Sequence, residues 1–232
     1  MMRKFLVNIA TKLGIYKWCV KIDTNIQEKK IARAFHKYGL EALKRADEAF
    51  SSQNAHLVLY FGSLLGAIRE KGFIAHDYDL DVCVPIEERP ENIDALMKQY
   101  GFVHTRQRWI PSLNRIIHDQ YCYKGCNLDI DYLYSDRTDG NVYTYIDRRH
   151  ETKDWREANA TNGFPVDVWP TPESEFIRSD FMGLNVYIPE KAHDWMRAIY
   201  GDSYMTPIKS WEAKDYKTAL EHTTLRAYRR EL

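Results

Sequence analysis

Two short runs of alternating carboxylates carry the strongest chemical signal in the chain: Asp79-Leu80-Asp81-Val82-Cys83-Val84 and Asn127-Leu128-Asp129-Ile130-Asp131-Tyr132. At a period of two, Asp79, Asp81 and Cys83 share one face of an extended strand, and Leu80, Val82 and Val84 share the other. Carboxylates two residues apart on one strand face stand about 7 Å apart and repel each other. A hard divalent cation between them removes that repulsion, and Mg²⁺ or Mn²⁺ held this way also binds phosphate oxygens. Asp79 and Asp81 are therefore candidate metal ligands. The second run puts Asp129 and Asp131 on one face, opposite Leu128, Ile130 and Tyr132, and repeats the pattern downstream. Taken alone, an Asp-x-Asp more often marks an ordinary solvent-facing strand. The segment in front of the first one changes that balance.

That segment is Leu57–Phe61, an apolar run of strand length, followed by Gly62-Ser63 and a short helical stretch. A tight Gly-Ser turn behind a buried strand directs backbone N–H groups outward, where they can hold an anion. Gly62 and Ser63 are candidate contacts for substrate phosphate. Arg69 and Lys71, at a helix end before Gly72, are candidate phosphate contacts too, although each taken singly reads more readily as a surface cation. His76 reads as a substrate contact or as a local loop hydrogen bond.

These residues resemble the signature of a known family. Gly62-Ser63-Leu64-Leu65-Gly66-Ala67-Ile68-Arg69, then Lys71-Gly72-Phe73-Ile74, then Asp77-Tyr78-Asp79-Leu80-Asp81 is similar to the LicD/fukutin pattern, within the nucleotidyltransferase (polymerase-beta-like) superfamily. A second similarity lies at Val186-Tyr187-Ile188-Pro189, Trp195, Ile199-Tyr200-Gly201-Asp202 and Tyr204-Met205-Thr206-Pro207, so the resemblance spans residues 55–208. One departure is Tyr78, where relatives often carry an acidic residue. The resemblance implies a metal-dependent phosphotransferase that moves a phosphocholine- or phosphoalditol-type substituent from a CDP-activated donor to a glycan hydroxyl. It also implies a third carboxylate on a neighbouring strand, supplied by Asp129 or Asp131, with Asp129 the better fit as a metal ligand. Two other readings compete: a nucleotidyltransferase that moves NMP from an NTP with release of pyrophosphate, and an inactive scaffold that keeps the fold.

Composition narrows the alternatives. The 232 residues fit one large domain, and 33 basic against 33 acidic residues leave no net field to recruit nucleic acid. Four scattered cysteines (Cys19, Cys83, Cys122, Cys126) do not form a secreted disulfide framework, which points to the cytoplasm. Cys122-x₃-Cys126 has no second Cys/His pair at matching spacing and reads as two free thiols. No apolar run reaches the roughly 18–20 residues of a membrane span. The N-terminal segment, residues 1–25, is basic and amphipathic, with Phe5, Leu6, Ile9, Leu13 and Tyr16 at helical spacing. Residues 1–21 could touch the inner face of an anionic membrane and bring the enzyme to a lipid-linked acceptor, or could pack on protein.

The remaining elements have to position the carboxylates. Ile26–Phe50 reads as a scaffold helix, Glu91–Tyr100 as a second helix ended by Gly101, and Phe102–Arg108 as a strand. Asn114–Tyr123 and Leu128–Tyr134 read as a hairpin, and Val142–Ile146 as a further strand. Asp147–Asn162 is a polar exposed helix or loop. Gly163–Pro172 is proline-rich irregular chain. Phe176–Arg178 and Leu184–Ile188 form a short hairpin, Pro189 opens a helix to Tyr200, and the tail after residue 209 is polar and weakly helical. The expected architecture is α/β (α+β): one domain over 1–232, with a mixed nucleotidyltransferase-like sheet flanked by helices.

Overall fold

The computed structural model describes residues 16–148, 155–207 and 221–232. It has the α/β architecture, with a mixed ten-stranded sheet and, among the described residues, five α-helices. Among the described residues the first element is α1 (Tyr16–Ser51), which runs ten residues longer at its start than the periodicity of Ile26–Phe50 indicates. It buries Phe35, Ala42, Leu43, Ala46, Ala49 and Phe50. Then come β1 (Val58–Leu59), α2 (Phe61–Arg69) and β2 (Asp79–Pro85). The expected Gly-Ser turn does not form. The strand ends at Leu59, and Gly62 and Ser63 lie inside the first turn of α2. The change of direction falls on Phe61, whose φ of 34° is a strained value for a bulky residue. Its ring is held against Tyr60 and Trp169.

Next are α3 (Ile93–Gln99), β3 (Val103–Ile110), β4 (Arg115–Tyr123), β5 (Cys126–Leu133) and β6 (Asn141–Asp147). β4 and β5 make the expected hairpin about Lys124 and Gly125, both at positive φ. The last group is α4 (Trp155–Thr161), β7 (Phe164–Pro172), β8 (Phe176–Phe181), β9 (Leu184–Pro189), α5 (Ala192–Tyr200) and β10 (Glu221–Glu231). Pro189 ends β9 rather than opening α5. The sheet order is β6-β7-β10-β3-β4-β5-β2-β1-β9-β8. The β2–β5 and β1–β9 pairs are parallel; the other neighbours are antiparallel.

Two expectations are corrected here. The proline-rich stretch from Gly163 is strand β7, paired with both β6 and β10. It tolerates its prolines because Pro165 lies where the β10 register shifts, and Pro170 and Pro172 lie past the described β10 pairing. The weakly helical tail is strand β10, set between β7 and β3. Its polar sequence hides it, because the partners of its charged side chains come mostly from elements far away in sequence. Arg229 meets Glu231 and the Trp155 ring, and Arg230 lies over Trp109. Residues 1–15 of the amphipathic N-terminal segment and 208–220 of the tail lie outside the described residues. Among those that are described, no helix is long and apolar enough to cross a membrane.

Parity decides what each face of the sheet carries. β2 and β5 run side by side with Asp81 opposite Asp129 and Cys83 opposite Asp131. Leu80, Val82, Leu128 and Ile130 therefore point the other way, and all four are fully buried. α1 packs on β2 and β5, and its Glu41 accepts a hydrogen bond from Tyr123, which shares parity with Asp119 and Tyr121 on the face away from the carboxylates. The face with the carboxylates is left open for α2 and a cavity.

Candidate active site

Asp81 is fixed at both its backbone and its side chain by the first turn of α2. The Gly62 N–H donates to Asp81 Oδ2 at 3.0 Å, and the Asp81 N–H donates to Ser63 Oγ at 2.9 Å. The Gly-Ser pair thus clamps the second aspartate of β2 against the helix that precedes it. Gly62 leaves little room for a side chain: a Cβ there would sit 3.0 Å from both Asp77 Oδ2 and Asp81 Oδ2 and would press those carboxylates aside. The same helix is pressed onto the following loop at Gly66, where a Cβ would come within 2.5 Å of the Gly72 carbonyl oxygen.

Because β2 and β5 are parallel and in register, the run from Asp79 to Asp81 and the run from Asp129 to Asp131 become neighbours. Carboxylate oxygens of Asp79, Asp81 and Asp129 lie within 4.8 Å of one another, all three residues half-buried. Asp131 is one step further along β5 on the same face, buried, with His118 and Cys83 as its cross-strand neighbours. A fifth acidic group, Asp77 from the loop before β2, faces the same space. The electrostatics are those of an acidic cluster short of positive charge. Burial pushes the Asp81 carboxyl well above the usual range, and Asp79, Asp129, Asp131 and Asp77 push it in the same direction. Burial also raises Asp77, against weaker opposition from His76 and Arg69. Asp129 goes the other way. Its burial is outweighed by His118, Arg108 and Gln120, which hold it well below the ordinary carboxylate range. Three convergent oxygen donors, one strongly resisting ionisation beside its neighbours, fit a hard divalent cation.

The carboxylates line a cavity of about 610 Å³. Arg69 stands on one wall, donating from Nη1 to the Tyr204 carbonyl at 3.1 Å and from Nε to Glu70 at 2.7 Å. Tyr200, Ser203 and Thr206 extend that wall. On the opposite side are Tyr145, His118 and a buried ion pair, Arg108 Nη1 to Asp147 Oδ1 at 2.9 Å. Of the residues singled out in the sequence, the structure brings Gly62, Arg69, Asp79, Asp81, Asp129 and Asp131 onto the cavity. Ser63 is buried behind it, and Lys71 is an exposed residue that does not line it. Arg108, His118, Gln120 and Asp147 were not visible in advance. Each sits in a strand among other polar residues, and its partners come from elsewhere in the chain. Asp147 was read as the first residue of a solvated polar stretch, yet it is buried at the end of β6. Cys83, Cys122 and Cys126 are free thiols.

Comparison with known proteins gives one result. No curated protein matches the chain at a significant level. The profile of the family described as "LicD/FKTN/FKRP, nucleotidyltransferase domain" matches residues 54–191. The match covers more than half of the chain and takes in α2, the loop through Asp77, β2 and β5, the elements that hold the acidic cluster. On this match and this geometry, the chain belongs to the LicD/FKTN/FKRP nucleotidyltransferase-domain family.

Proposed function

We propose that this protein is a metal-dependent phosphotransferase of cell-surface glycan synthesis, moving a phospho-substituent of the phosphocholine or phosphoalditol type from a CDP-activated donor to a sugar hydroxyl and releasing CMP. Family membership implies phosphotransferase-type activity on glycans. The observation that carries the finer reading is the convergence of Asp79, Asp81 and Asp129 within 4.8 Å on the wall of a cavity large enough for a nucleotide-linked donor. Asp79, Asp81 and Asp129 would hold Mg²⁺ or Mn²⁺. When bound, such a cation neutralises phosphate charge and lowers the pKa of a coordinated hydroxyl.

The chain's own residues account for the rest of the transfer. Arg69 is braced by the Tyr204 carbonyl and by Glu70, so its guanidinium is fixed at the wall where a donor phosphate would lie. Gly62 lets the start of α2 approach that phosphate without a side chain in the way. Ser63 supports this wall through Asp81 instead of facing the donor, and Lys71 stays outside it. The acceptor hydroxyl oxygen attacks the phosphorus of the transferred group, the bond from that phosphorus to the CMP oxygen breaks, and the hydroxyl proton passes to the carboxylate of Asp131 beside Asp129. Arg108, Asp147 and Tyr145 line the acceptor side, where charged and hydroxyl groups suit a polyhydroxyl ligand. The continuous ten-stranded sheet supports treating residues 1–232 as one domain. The basic segment 1–21 would place it at the cytoplasmic membrane face near a lipid-linked acceptor.

Nucleotide release tests this reading. The purified chain is incubated with Mg²⁺ or Mn²⁺ and CDP-choline, CDP-glycerol, CDP-ribitol, CDP-ethanolamine or each NTP, with and without sugars, while CMP and pyrophosphate are followed. CMP from one CDP-linked donor, absent with Asp81→Asn, is the expected result. Pyrophosphate from an NTP would replace this reaction with nucleotidyl transfer, and silence across the panel would favour an inactive scaffold.

A further inference from the structure

Asp129 is gripped on only one of its two oxygens. Gln120, its cross-strand neighbour on β4, donates from Nε2 to Asp129 Oδ1 at 2.7 Å, and His118 Nε2 stands 3.5 Å from the same atom. Both side chains are more than nine-tenths buried. The Gln120 amide is not free to turn over. An ionised carboxylate only accepts, so the NH₂ end must face Asp129, and Thr105 Oγ1, whose one proton is shared between the Gln120 carbonyl oxygen at 3.0 Å and Oε1 at 3.2 Å, supports the oxygen end. The His118 ring is oriented as well. Its Nδ1 is buried and makes no hydrogen bond among the described residues, which leaves Nε2 as the ring nitrogen that faces Asp129 Oδ1. Asp129 Oδ2 receives no protein hydrogen bond among the described residues.

We propose that Gln120 and His118, backed by Thr105, are positioning residues that occupy Asp129 Oδ1 and present Oδ2 as the oxygen that binds a divalent cation. A carboxylate held on one oxygen by two fixed donors cannot rotate to chelate with both, so it serves as a single-oxygen ligand of defined direction. This inference rests on reading Asp79, Asp81 and Asp129 as a cation site, and it is independent of which donor or acceptor the enzyme uses.

The test is Mn²⁺ binding to the full chain, read from the free-ion electron paramagnetic resonance signal, beside circular dichroism of each variant without metal. Gln120→Leu and His118→Leu should each weaken Mn²⁺ binding by about 10- to 100-fold, the range typical of losing a group that orients a metal ligand. Thr105→Val, which touches no atom of Asp129, should weaken it less and in the same direction. His118→Gln, which restores an N–H donor, should recover part of the loss. Folded Gln120→Leu and His118→Leu variants that bind Mn²⁺ within about twofold of the unaltered chain would overturn the proposal. Should those two variants fail to fold, unchanged Mn²⁺ binding by folded Thr105→Val would overturn it equally. Asp129→Asn separates this failure from a deeper one: if it binds Mn²⁺ as well as the unaltered chain, the cation site itself is misassigned.

Discussion

Asp119 is fully buried and Asp81 half-buried in the same sheet, and their surroundings drive them in opposite directions. Asp119 lies on the face away from the cavity, with Tyr132 at 2.6 Å, Gln107 at 2.8 Å, and His104 and Arg89 at 3.1 Å. Burial would raise its carboxyl, but His104, Tyr132, Arg89 and Gln107 outweigh burial and bring it down to about 2. A carboxylate lowered by folding stabilises the fold above its unfolded pKa, and that stability is lost as pH falls towards 2; the amount is on the order of 2 kcal/mol. Asp81 has carboxylates where Asp119 has donors, and its raised pKa reverses the sign. Its folded form is favoured below the unfolded pKa and penalised as pH rises from about 4 through the raised value. Asp81→Asn should therefore cut turnover by at least about 100-fold while leaving the metal-free melting temperature at pH 7 equal or higher, by about 2–4 °C for each kcal/mol of repulsion relieved. The gain should shrink as pH is lowered towards 4. A fall of several degrees at pH 7 would mean that Asp81 holds the fold together.

At the scale of elements, α2 is the piece on which the site turns. It touches β2 at one end through Gly62 and Ser63 and the Gly72 loop at the other through Gly66. Gly66→Ala would drive a methyl group into the Gly72 carbonyl, which is backbone and cannot swing aside. The substitution should cost about 1–3 kcal/mol in a denaturant titration, as overpacking of a tight contact does. Unaltered stability would show that the helix–loop contact has room to give. This element was largely legible in the sequence, because its glycines, its hydroxyl and the Asp79–Asp81 run lie within twenty residues and constrain one another locally. The opposite wall was not. Arg108, His118 and Gln120 sit on strands buried on both faces, where the alternation that announces a strand is blurred by polar residues that pair across the sheet. Only the register of β3, β4 and β5 shows that they converge on one carboxylate.

For the whole molecule, the sheet depends on a strand whose sequence reads as a polar, weakly helical tail. β10 pairs with β3 over Tyr228–Glu231 and with β7 over Glu221–Ala227, and it passes close to Gly163, at φ 64°, where a Cβ would come within 2.5 Å of the Ala227 carbonyl oxygen. Ending the chain at Leu220 should leave two open strand edges and abolish soluble, cooperatively folded protein, measured by yield and by circular dichroism on heating. A truncated chain that melts like the full one would show that β10 is dispensable. Its basic, aromatic-poor sequence concealed it because a central strand is held by backbone pairing, and its charged side chains find their partners on distant segments such as Arg106, Arg137 and Asp167.

The place of β10 also sets a timetable. β3 and β7 leave the ribosome well before the strand that joins them, so each spends part of synthesis with an unpaired backbone edge. The chain guards both. β3 carries His104, Arg106 and Arg108, and β7 carries Pro165 within the stretch that pairs with β10, the kinds of residue that discourage a nascent edge from annealing to another chain. Gatekeeping during translation thus falls in part to Arg108, which later lines the finished cavity.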